Sequence, residues 1–183
     1  LVVGKRAGEH AAKYAAEQSA PTVGRDQVDA AAREALAPLE RSPGADDVGP
    51  YRLLHAIQQH MQDNAGIVRD DEGLRTALTG LQEFARKVEA IGVGGNNREF
   101  NSAWHAALDL QNIVTVAEAV VRPALARTES RGAHSRVDHQ GKDAEWGRYN
   151  QIVRKAADGS MEVERRPVVP LRDDLKAIIE EMG

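Results

Sequence analysis

Apolar residues recur every three or four positions over three long segments of this chain, which predicts three amphipathic helices. The predicted helices span about residues 50–64, 71–91 and 100–126. In the third helix, apolar residues from Trp104 to Val121 go nearly all the way round, which is typical of a helix enclosed on several sides. Short connections between such helices favour an antiparallel up-down-up bundle.

The segment ahead of the first long helix is divided by helix breakers. Two shorter helices are predicted over about residues 4–18 and 27–36. Residues 40–49 contain proline, glycine and two aspartates, which makes this stretch the best candidate for a linker. Pro50 then suits the first turn of the next helix, behind the acidic pair at 46–47.

The C-terminal part of the chain changes from a helical to an extended pattern. Residues 149–155 and 161–166 are strand-like, and Asp158 and Gly159 between them form a dipeptide that is typical of hairpin turns. A short helix is predicted over residues 173–181. The predicted fold class is therefore mainly α, a three-helix antiparallel bundle with N-terminal helices and a C-terminal extended or β-hairpin tail.

The composition limits the functions that are open to this chain. Hydrophobic residues make up 42% of the 183 residues, which is enough for a packed core. The formal net charge of −4 comes from 24 basic and 28 acidic residues, so the chain lacks the basic balance of a nucleic-acid-binding protein. There is no cysteine, which excludes disulfides and zinc–thiolate sites. The longest apolar runs are too short for a membrane span.

The densest charge in the sequence directly follows the third long helix. Residues 127–136 hold three arginines, one glutamate, one histidine and one glycine. Buried charges are tolerated only when they are paired and hydrogen bonded, so this run is either a wet surface loop or the docking face for another body of protein. Its position after an apolar helix favours docking. The residues predicted to form the interface are Arg127, Glu129, Arg131, His134 and Arg136.

Three other interpretations of this run stay open. It could be an internal salt-bridge network in which Glu129, Asp138 and Asp143 pair with the arginines. Arginine forks beside His134 could bind an anionic substrate, since a histidine in such company can titrate near neutral pH. His134 and His139, together with the two aspartates, could bind a metal, although no helical or strand spacing supports such a site.

The glycine-rich loop at residues 92–97 resembles a phosphate-binding loop only superficially. It follows a helix instead of a strand, and it lacks the third glycine of the dinucleotide-binding fingerprint. No serine or lysine stands in a recognisable nucleophile context. We therefore predict no catalytic, cofactor-binding or metal-binding residue in this chain.

Residues 129–136, Glu-Ser-Arg-Gly-Ala-His-Ser-Arg, resemble a run in the C-terminal region of the flavoprotein subunit of succinate dehydrogenase and fumarate reductase, where it also follows a long helix. The related L-aspartate oxidases share a variant of this run. The similarity extends in the right order over nearly the whole chain, at residues 1–8, 61–69, 99–101 and 107–112 and at Asp138 and Trp146.

The resemblance implies a flavoprotein that interconverts succinate and fumarate on FAD and passes electrons to an iron–sulfur partner subunit and then to quinone. It implies a C-terminal three-helix bundle with an extended tail, in agreement with the helical spacing. It also implies a peripheral position on the cytoplasmic side of the membrane, as part of a membrane-bound complex. The family's flavin-linking histidine, proton-transfer arginine and substrate-binding residues lie upstream of the segment that resembles residue 1, so none has a matching position here.

The start of the chain suggests a piece of a longer protein, because an apolar stretch that begins with Leu1 makes a poor natural N-terminus. We expect residues 1–45 to be the end of the flavin-binding domain plus a linker helix. Residues 46–128 are then the bundle, and residues 129–183 are a charged loop, a hairpin arm and a short terminal helix. Such a piece would brace the FAD domain and contribute to the subunit interface, and alone it would be catalytically silent and without FAD.

Two other functions are compatible with the residues alone. The chain could be an autonomous helical protein-interaction module unrelated to a flavoenzyme, or a small independent enzyme with a cleft around His134. Residues 1–3 would form an unpaired strand edge with exposed apolar surface, which predicts possible self-association.

Overall fold

The computed structural model describes residues 2–44, 48–94 and 97–182. The chain divides into two compact units, Leu1–Ala37 and Pro38–Gly183. It is mainly α, as predicted. The acidic pair at 46–47 and the middle of the glycine-rich loop, at 95–96, lie outside the described residues.

The first unit contains helix α1 (Val2–Glu17), in which no residue is buried, and the beginning of helix α2 (Arg25–Glu40). The strand expected at the start of the chain is wrong for Val2 and Val3, because both belong to α1. A helix pairs its backbone groups within itself, whereas a strand needs a neighbouring strand for the same purpose.

Helix α2 continues past its predicted end at residue 36 and includes Pro38. Pro38 and Leu39 are buried, and the carbonyl of Pro38 accepts a hydrogen bond from the backbone N–H of Val93 at 2.9 Å. Burial of this last turn offsets the hydrogen bond that a proline removes from a helix. The sequence spacing contains no sign of this contact.

Three helices of the second unit share one hydrophobic core, namely α3 (Gly49–Ala65), α4 (Asp71–Ala90) and α5 (Ser102–Ala126). Pro50 lies in the first turn of α3, as predicted. The core is aliphatic and its central side chains are almost completely enclosed, with Leu74 and Leu110 at 0% exposure.

The N-terminus of α5 lies slightly beyond the predicted start at residue 100. Phe100 has a φ of +54°, a left-handed conformation that a right-handed helix cannot include. Asn101 is the N-cap, and its side-chain oxygen accepts a hydrogen bond from the backbone N–H of Trp104 at 3.0 Å. The cap therefore fixes where this helix begins.

The prediction that α5 is enclosed on several sides is wrong for the described structure. Its buried residues alternate in steps of three and four along a single stripe, while Val116 and Val120 are exposed. Such spacing keeps one seam of a helix against its neighbours. The buried residues are Ala107, Leu110, Val114, Ala117, Val121 and Ala124.

Two small sheets complete the second unit. Strand β1 (Val68–Arg69) pairs in parallel with β2 (Ser135–Arg136), and β3 (Tyr149–Lys155) pairs antiparallel with β4 (Met161–Pro167). The β3–β4 hairpin confirms the prediction, and Gly159 in its turn has a φ of +86°. The hairpin follows a short 3-10 helix at Trp146–Arg148.

Helix α6 (Asp173–Met182) ends the described chain, close to its predicted span, and none of its residues is buried. Among the described residues, no helix has both the length and the apolarity needed to cross a membrane.

Candidate functional site

The five residues predicted to form an interface lie together at the C-terminal end of α5. We call them the charge cluster, which consists of Arg127, Glu129, Arg131, His134 and Arg136. The chain leaves α5 at Arg127, makes a tight turn in which Arg131 and His134 exchange backbone hydrogen bonds, and enters β2. The turn brings charges that are spread over ten residues into one small volume.

Glu129 is the negative centre of the cluster. It is 1% exposed, and its carboxylate accepts hydrogen bonds from Arg127 Nη1 at 2.6 Å and from Arg131 Nε at 2.8 Å. The backbone N–H of Asp143 donates to the second carboxylate oxygen at 2.7 Å. Hydrogen bonding to Arg131, above all, lowers the pKa of Glu129 to about 2 against the opposing effect of burial. This carboxylate is therefore a fully ionised, fully paired anion at neutral pH.

Arg136 caps the C-terminal end of α5. It is 1% exposed, and its Nη1 donates to the backbone carbonyls of Ala124 at 3.1 Å and of Leu125 and Arg127 at 3.3 Å. The last carbonyls of a helix have no partner within it, and they carry the negative end of the helix dipole. A buried guanidinium at this point satisfies several acceptors with one positive charge.

Asp138, which follows β2, connects Arg136 to the first residue of α4. Its carboxylate accepts two hydrogen bonds from Arg136, at 2.7 and 2.6 Å, and a third from the backbone N–H of Asp71 at 3.0 Å. Asp71 is the first residue of α4, where a negative charge is favourable. The hydrogen bonds from Arg136 hold the pKa of Asp138 well below its usual range. One ion pair thus ties the end of α5 to the start of α4.

His134 joins the cluster to β1. Its Nδ1 lies 3.0 Å from Nη1 of Arg69, and its Nε2 lies 3.3 Å from the backbone carbonyl of Arg127. Because an arginine can only donate, Nδ1 accepts and Nε2 carries the proton that it donates to the carbonyl. Both ring nitrogens are thus already used within the chain.

The surroundings of His134 predict a loss of stability on mild acidification. Burial, and the positive charges of Arg69, Arg136 and Arg127, lower the pKa of His134, although the hydrogen bond to the Arg127 carbonyl opposes this shift. The unfolded chain therefore binds a proton near pH 6.5 that the folded chain binds only at lower pH. We expect the free energy of unfolding to fall as the pH drops below about 6.5.

Urea denaturation at several pH values, followed by circular dichroism, measures this effect. The variant His134→Gln should show a smaller decrease between pH 7.5 and 5.5 than the wild-type chain. The exposed His55 on α3 offers a matched control, since His55→Gln should retain the wild-type decrease. Equal slopes for the wild type and His134→Gln would contradict the prediction.

Trp146 attaches the hairpin to the cluster. It is 4% exposed, and its indole Nε1 donates to the hydroxyl of Thr128 at 3.0 Å. The guanidinium groups of Arg127 and Arg165 lie 5.0 and 3.7 Å from the ring centroid. Cation–π attraction at a desolvated ring adds to the burial of the indole. Because Arg165 belongs to β4, this stack fixes the hairpin beside the end of α5.

The structure adds two contacts that the sequence did not predict, that of Arg69 with His134 in the cluster and that of Arg165 with Trp146 beside it. Arg69 lies in the segment 61–69, for which the sequence gave a family resemblance but no contact. Arg165 lies in β4, and the alternation of residues in a strand does not indicate that it stacks on Trp146.

Of the internal network proposed for Glu129, Asp138 and Asp143, the ion pairs of Glu129 and Asp138 with arginines are present, whereas Asp143 contributes through its backbone N–H and carbonyl. Among the described residues, no group of three or more histidine and acidic side chains could hold a metal ion.

The glycine-rich loop does not have the form of a cofactor cradle where it is described. A Cβ on Gly92 would come within 2.6 Å of the backbone oxygen of Arg41, and one on Gly94 would contact Pro43. The glycines therefore let this loop approach the chain's own backbone.

Comparison with known proteins gives the chain a family. The family model described as fumarate reductase flavoprotein C-term matches residues 54–173. The fumarate reductase flavoprotein subunit of Mycobacterium tuberculosis is 34% identical over 176 residues, which cover 94% of this chain and 30% of that protein. The succinate dehydrogenase flavoprotein subunit of Coxiella burnetii is 31% identical over 144 residues, 78% of this chain and 24% of that protein.

Solved structures agree with this result. The Sdh1 complex of Mycobacterium smegmatis in its apo form contains a chain that superposes with a TM-score of 0.86 at 38% identity, covering 96% of this chain and 30% of that chain. A quinol-fumarate reductase shares the fold, with a TM-score of 0.77 at 23% identity, covering 91% of this chain and 29% of that chain. The chain spans between 24% and 30% of the length of these relatives. It belongs to the C-terminal domain family of the fumarate reductase and succinate dehydrogenase flavoproteins.

Proposed function

We propose that this domain braces the FAD-binding part of a succinate dehydrogenase or fumarate reductase flavoprotein and contributes to a subunit interface. Its relatives are named as flavoprotein subunits, and one is part of a solved complex. On this proposal the longer protein is the enzyme and holds FAD, while this chain alone is inactive. The partners are the flavin-binding domain and an iron–sulfur subunit of a membrane-bound complex, with the flavoprotein peripheral on the cytoplasmic side. Membership of this family argues against an unrelated interaction module.

We also infer that α3, α4 and α5 form an antiparallel three-helix bundle within boundaries of 46–128. Their shared core and the short link between α3 and α4 support this arrangement. Residues 1–45 then belong with the flavin-binding domain, and residues 129–183 form the arm. Self-association of the isolated chain stays a prediction.

The bracing role is supported mainly by the ion pairs and hydrogen bonds that the charged side chains of the cluster form within the chain. Glu129 and Arg136 are almost fully buried, and their charges are occupied by side chains and helix ends. A network of this kind makes a rigid platform, since each member holds the next in place. Rigidity at the junction of α4, α5 and the hairpin is what a domain needs in order to support another one.

Within this platform, Arg131 is the member best placed to contact a second body of protein. Its side chain is 38% exposed, compared with 18% for Arg127 and 0% for Glu129 and Arg136. Its Nη2 also donates to the backbone carbonyl of Asp143 at 3.0 Å, which holds the guanidinium at the surface in one position. A preorganised surface arginine suits a polar interface contact.

The test is Arg131→Ala in the full-length flavoprotein that contains this domain. We expect severalfold less bound flavin and less co-purifying partner subunit, because the interface loses a fixed positive group. Arg148→Ala, at an arginine whose side chain is 73% exposed, is the matched control and should assemble normally. Circular dichroism of both variants separates a docking defect from unfolding. Full flavin content and full assembly in Arg131→Ala would refute the interface role.

A further inference from the structure

Three aliphatic side chains are exposed where β1 pairs with β2. Ile67, Val68 and Val137, which we call the junction patch, are each more than half exposed. The parallel register aligns Val68 with Ser135, so Val68 and Val137 lie on the same face of the pair. Both also line one cleft of about 270 Å³. Single exposed aliphatic residues are normal on a protein surface, whereas adjacent ones that share a face suit contact with another surface.

The backbone beneath the junction patch is already fixed. The backbone N–H of Ser135 donates to the carbonyl of Ile67 at 3.1 Å, and that of Val137 donates to the carbonyl of Arg69 at 2.9 Å. Val137 also directly follows Arg136, which is buried and ion-paired. A patch that is held in one conformation before it binds loses little conformational freedom when a partner covers it.

This two-stranded sheet has one closed edge and one open edge. Beyond β2, the hydroxyl of Ser130 accepts from the backbone N–H of Arg136 at 2.8 Å and lies 3.1 Å from its carbonyl oxygen. In β1, the register turns the N–H and C=O of Val68 away from β2, and neither group has a backbone partner among the residues that the structure describes. An unpaired strand edge is a template for one more extended segment.

The cleft beside the junction patch is acidic. Its lining includes the carboxylates of Asp63, Asp70 and Glu72. Arg69 also lines the cleft, but its guanidinium is hydrogen bonded to the ring of His134 at 3.0 Å, so the negative charges exceed the positive ones. Charge complementarity therefore favours a segment that carries lysine or arginine next to an aliphatic residue.

The small size of the junction patch favours a covering segment from the same polypeptide. Stable contacts between separate proteins bury about 1,200–2,000 Å², and three aliphatic side chains with one open backbone edge offer only a small part of such an area. A tethered segment needs less area, because its tether gives it an effective concentration that is roughly millimolar. The chain covers 24–30% of its relatives, so the rest of the longer protein is a large tethered source.

We propose that an extended segment from the rest of the same polypeptide pairs with the open edge at Val68 and covers the junction patch. An aliphatic side chain of this segment packs against Val68 and Val137, and a lysine or arginine enters the acidic cleft. The mode is strand addition to an exposed edge, in which main-chain hydrogen bonds give affinity and alternate side chains give specificity. A second copy of the chain is a poor partner, because its acidic cleft would face the same charges. The inference rests on the part of the proposed function that puts this domain in a longer flavoprotein.

The experiment places the photo-crosslinking residue p-benzoylphenylalanine at position 137 of this domain in the full-length flavoprotein, which is expressed with its partner subunits. After irradiation, gel mobility separates intramolecular from intermolecular products, and mass spectrometry identifies the crosslinked peptide. We expect an intramolecular crosslink to a segment outside residues 1–183 that contains a lysine or arginine within about three positions.

Two substitutions test the two halves of the contact. Val68→Asp places a charge on the aliphatic face, and Glu72→Lys reverses a charge of the cleft, so each should lower the crosslink yield severalfold. The matched controls are Val116→Asp on α5 and Glu89→Lys at the far end of α4, both at exposed positions, and they should keep the wild-type yield. Circular dichroism of each variant checks that it is folded.

Hydrogen exchange of the unmodified full-length protein tests the pairing without any substitution. The amide of Val68 should be protected about as strongly as that of Val137, which donates to Arg69. Rapid exchange at Val68 would overturn the inference. So would a crosslink to another subunit, to a second copy or within residues 1–183, or the absence of any crosslink, in a protein that binds FAD and assembles normally. The Arg131→Ala test measures flavin content and assembly, so its failure would overturn the proposed interface role and leave this contact in place.

Discussion

Replacing Arg136 with alanine is expected to lower the free energy of unfolding by about 3–5 kcal/mol, because its buried guanidinium donates both to a carboxylate and to several carbonyls at a helix end. The substitution leaves the Asp138 carboxylate without its main partner and removes the Arg136 donor from the carbonyls of Ala124 and Leu125. The Arg127 carbonyl keeps only the hydrogen bond from His134 Nε2. It also separates the end of α5 from the start of α4. Urea denaturation followed by the helical circular dichroism signal measures the loss.

The matched control for this variant is Arg148→Ala, since the side chain of Arg148 is 73% exposed. Surface substitutions of this kind usually stay within about 0.5 kcal/mol. If Arg136→Ala had the same free energy of unfolding as Arg148→Ala, the ion pair between Arg136 and Asp138 would not contribute to the stability of the α4–α5 junction.

The second large effect is expected for Glu129→Gln, with a loss of about 3 kcal/mol. The amide keeps the shape of the side chain, but its neutral group leaves the positive charges of Arg127 and Arg131 facing each other without compensation. In either orientation the amide nitrogen would also face a donor of Arg131, together with Arg127 in one orientation and with the backbone N–H of Asp143 in the other. The same denaturation experiment at neutral pH measures this loss.

Acid titration gives an independent test of Glu129. Its pKa of about 2 in the folded chain lies below the ordinary value of 4.5, so between these values the unfolded chain binds the proton first. The wild type should therefore lose stability as the pH falls from about 4.5 towards 2, and Glu129→Gln should lose less over this window. Glu145→Gln, at a side chain that is 58% exposed, should keep the wild-type acid dependence. Parallel curves for the wild type and Glu129→Gln would show that this carboxylate is not specially stabilised.

Most of the helices could be predicted because their signals are local. The predicted start of α4 at residue 71 agrees with the structure, where Asp70 caps the helix by accepting from the backbone N–H of Gly73 at 2.7 Å. The Asp-Gly turn and the strand pattern of the hairpin are equally local. Predictions failed where the answer depended on a distant neighbour, as in the continuation of α2 through Pro38 and the single buried stripe of α5.

The candidate site shows the same division. The sequence located the charges within ten residues, and the rule that buried charges need partners predicted that they would be paired or docked. It could not tell which of these two outcomes occurs for each residue. Glu129 and Arg136 are buried and paired inside the chain, whereas Arg131 keeps part of its surface open. The difference arises from where the chain turns after α5.

The sequence by itself determined the mainly helical class, the hairpin and the place of the charge cluster, because periodicity, turn residues and composition act over short stretches of chain. Only the tertiary structure decided that β1 pairs with β2, that Arg69 meets His134, and that Arg136 and Asp138 join two helix ends. These contacts link residues far apart in sequence, and their geometry follows from how α4 and α5 pack in the common core. Local patterns contain no information about such distances.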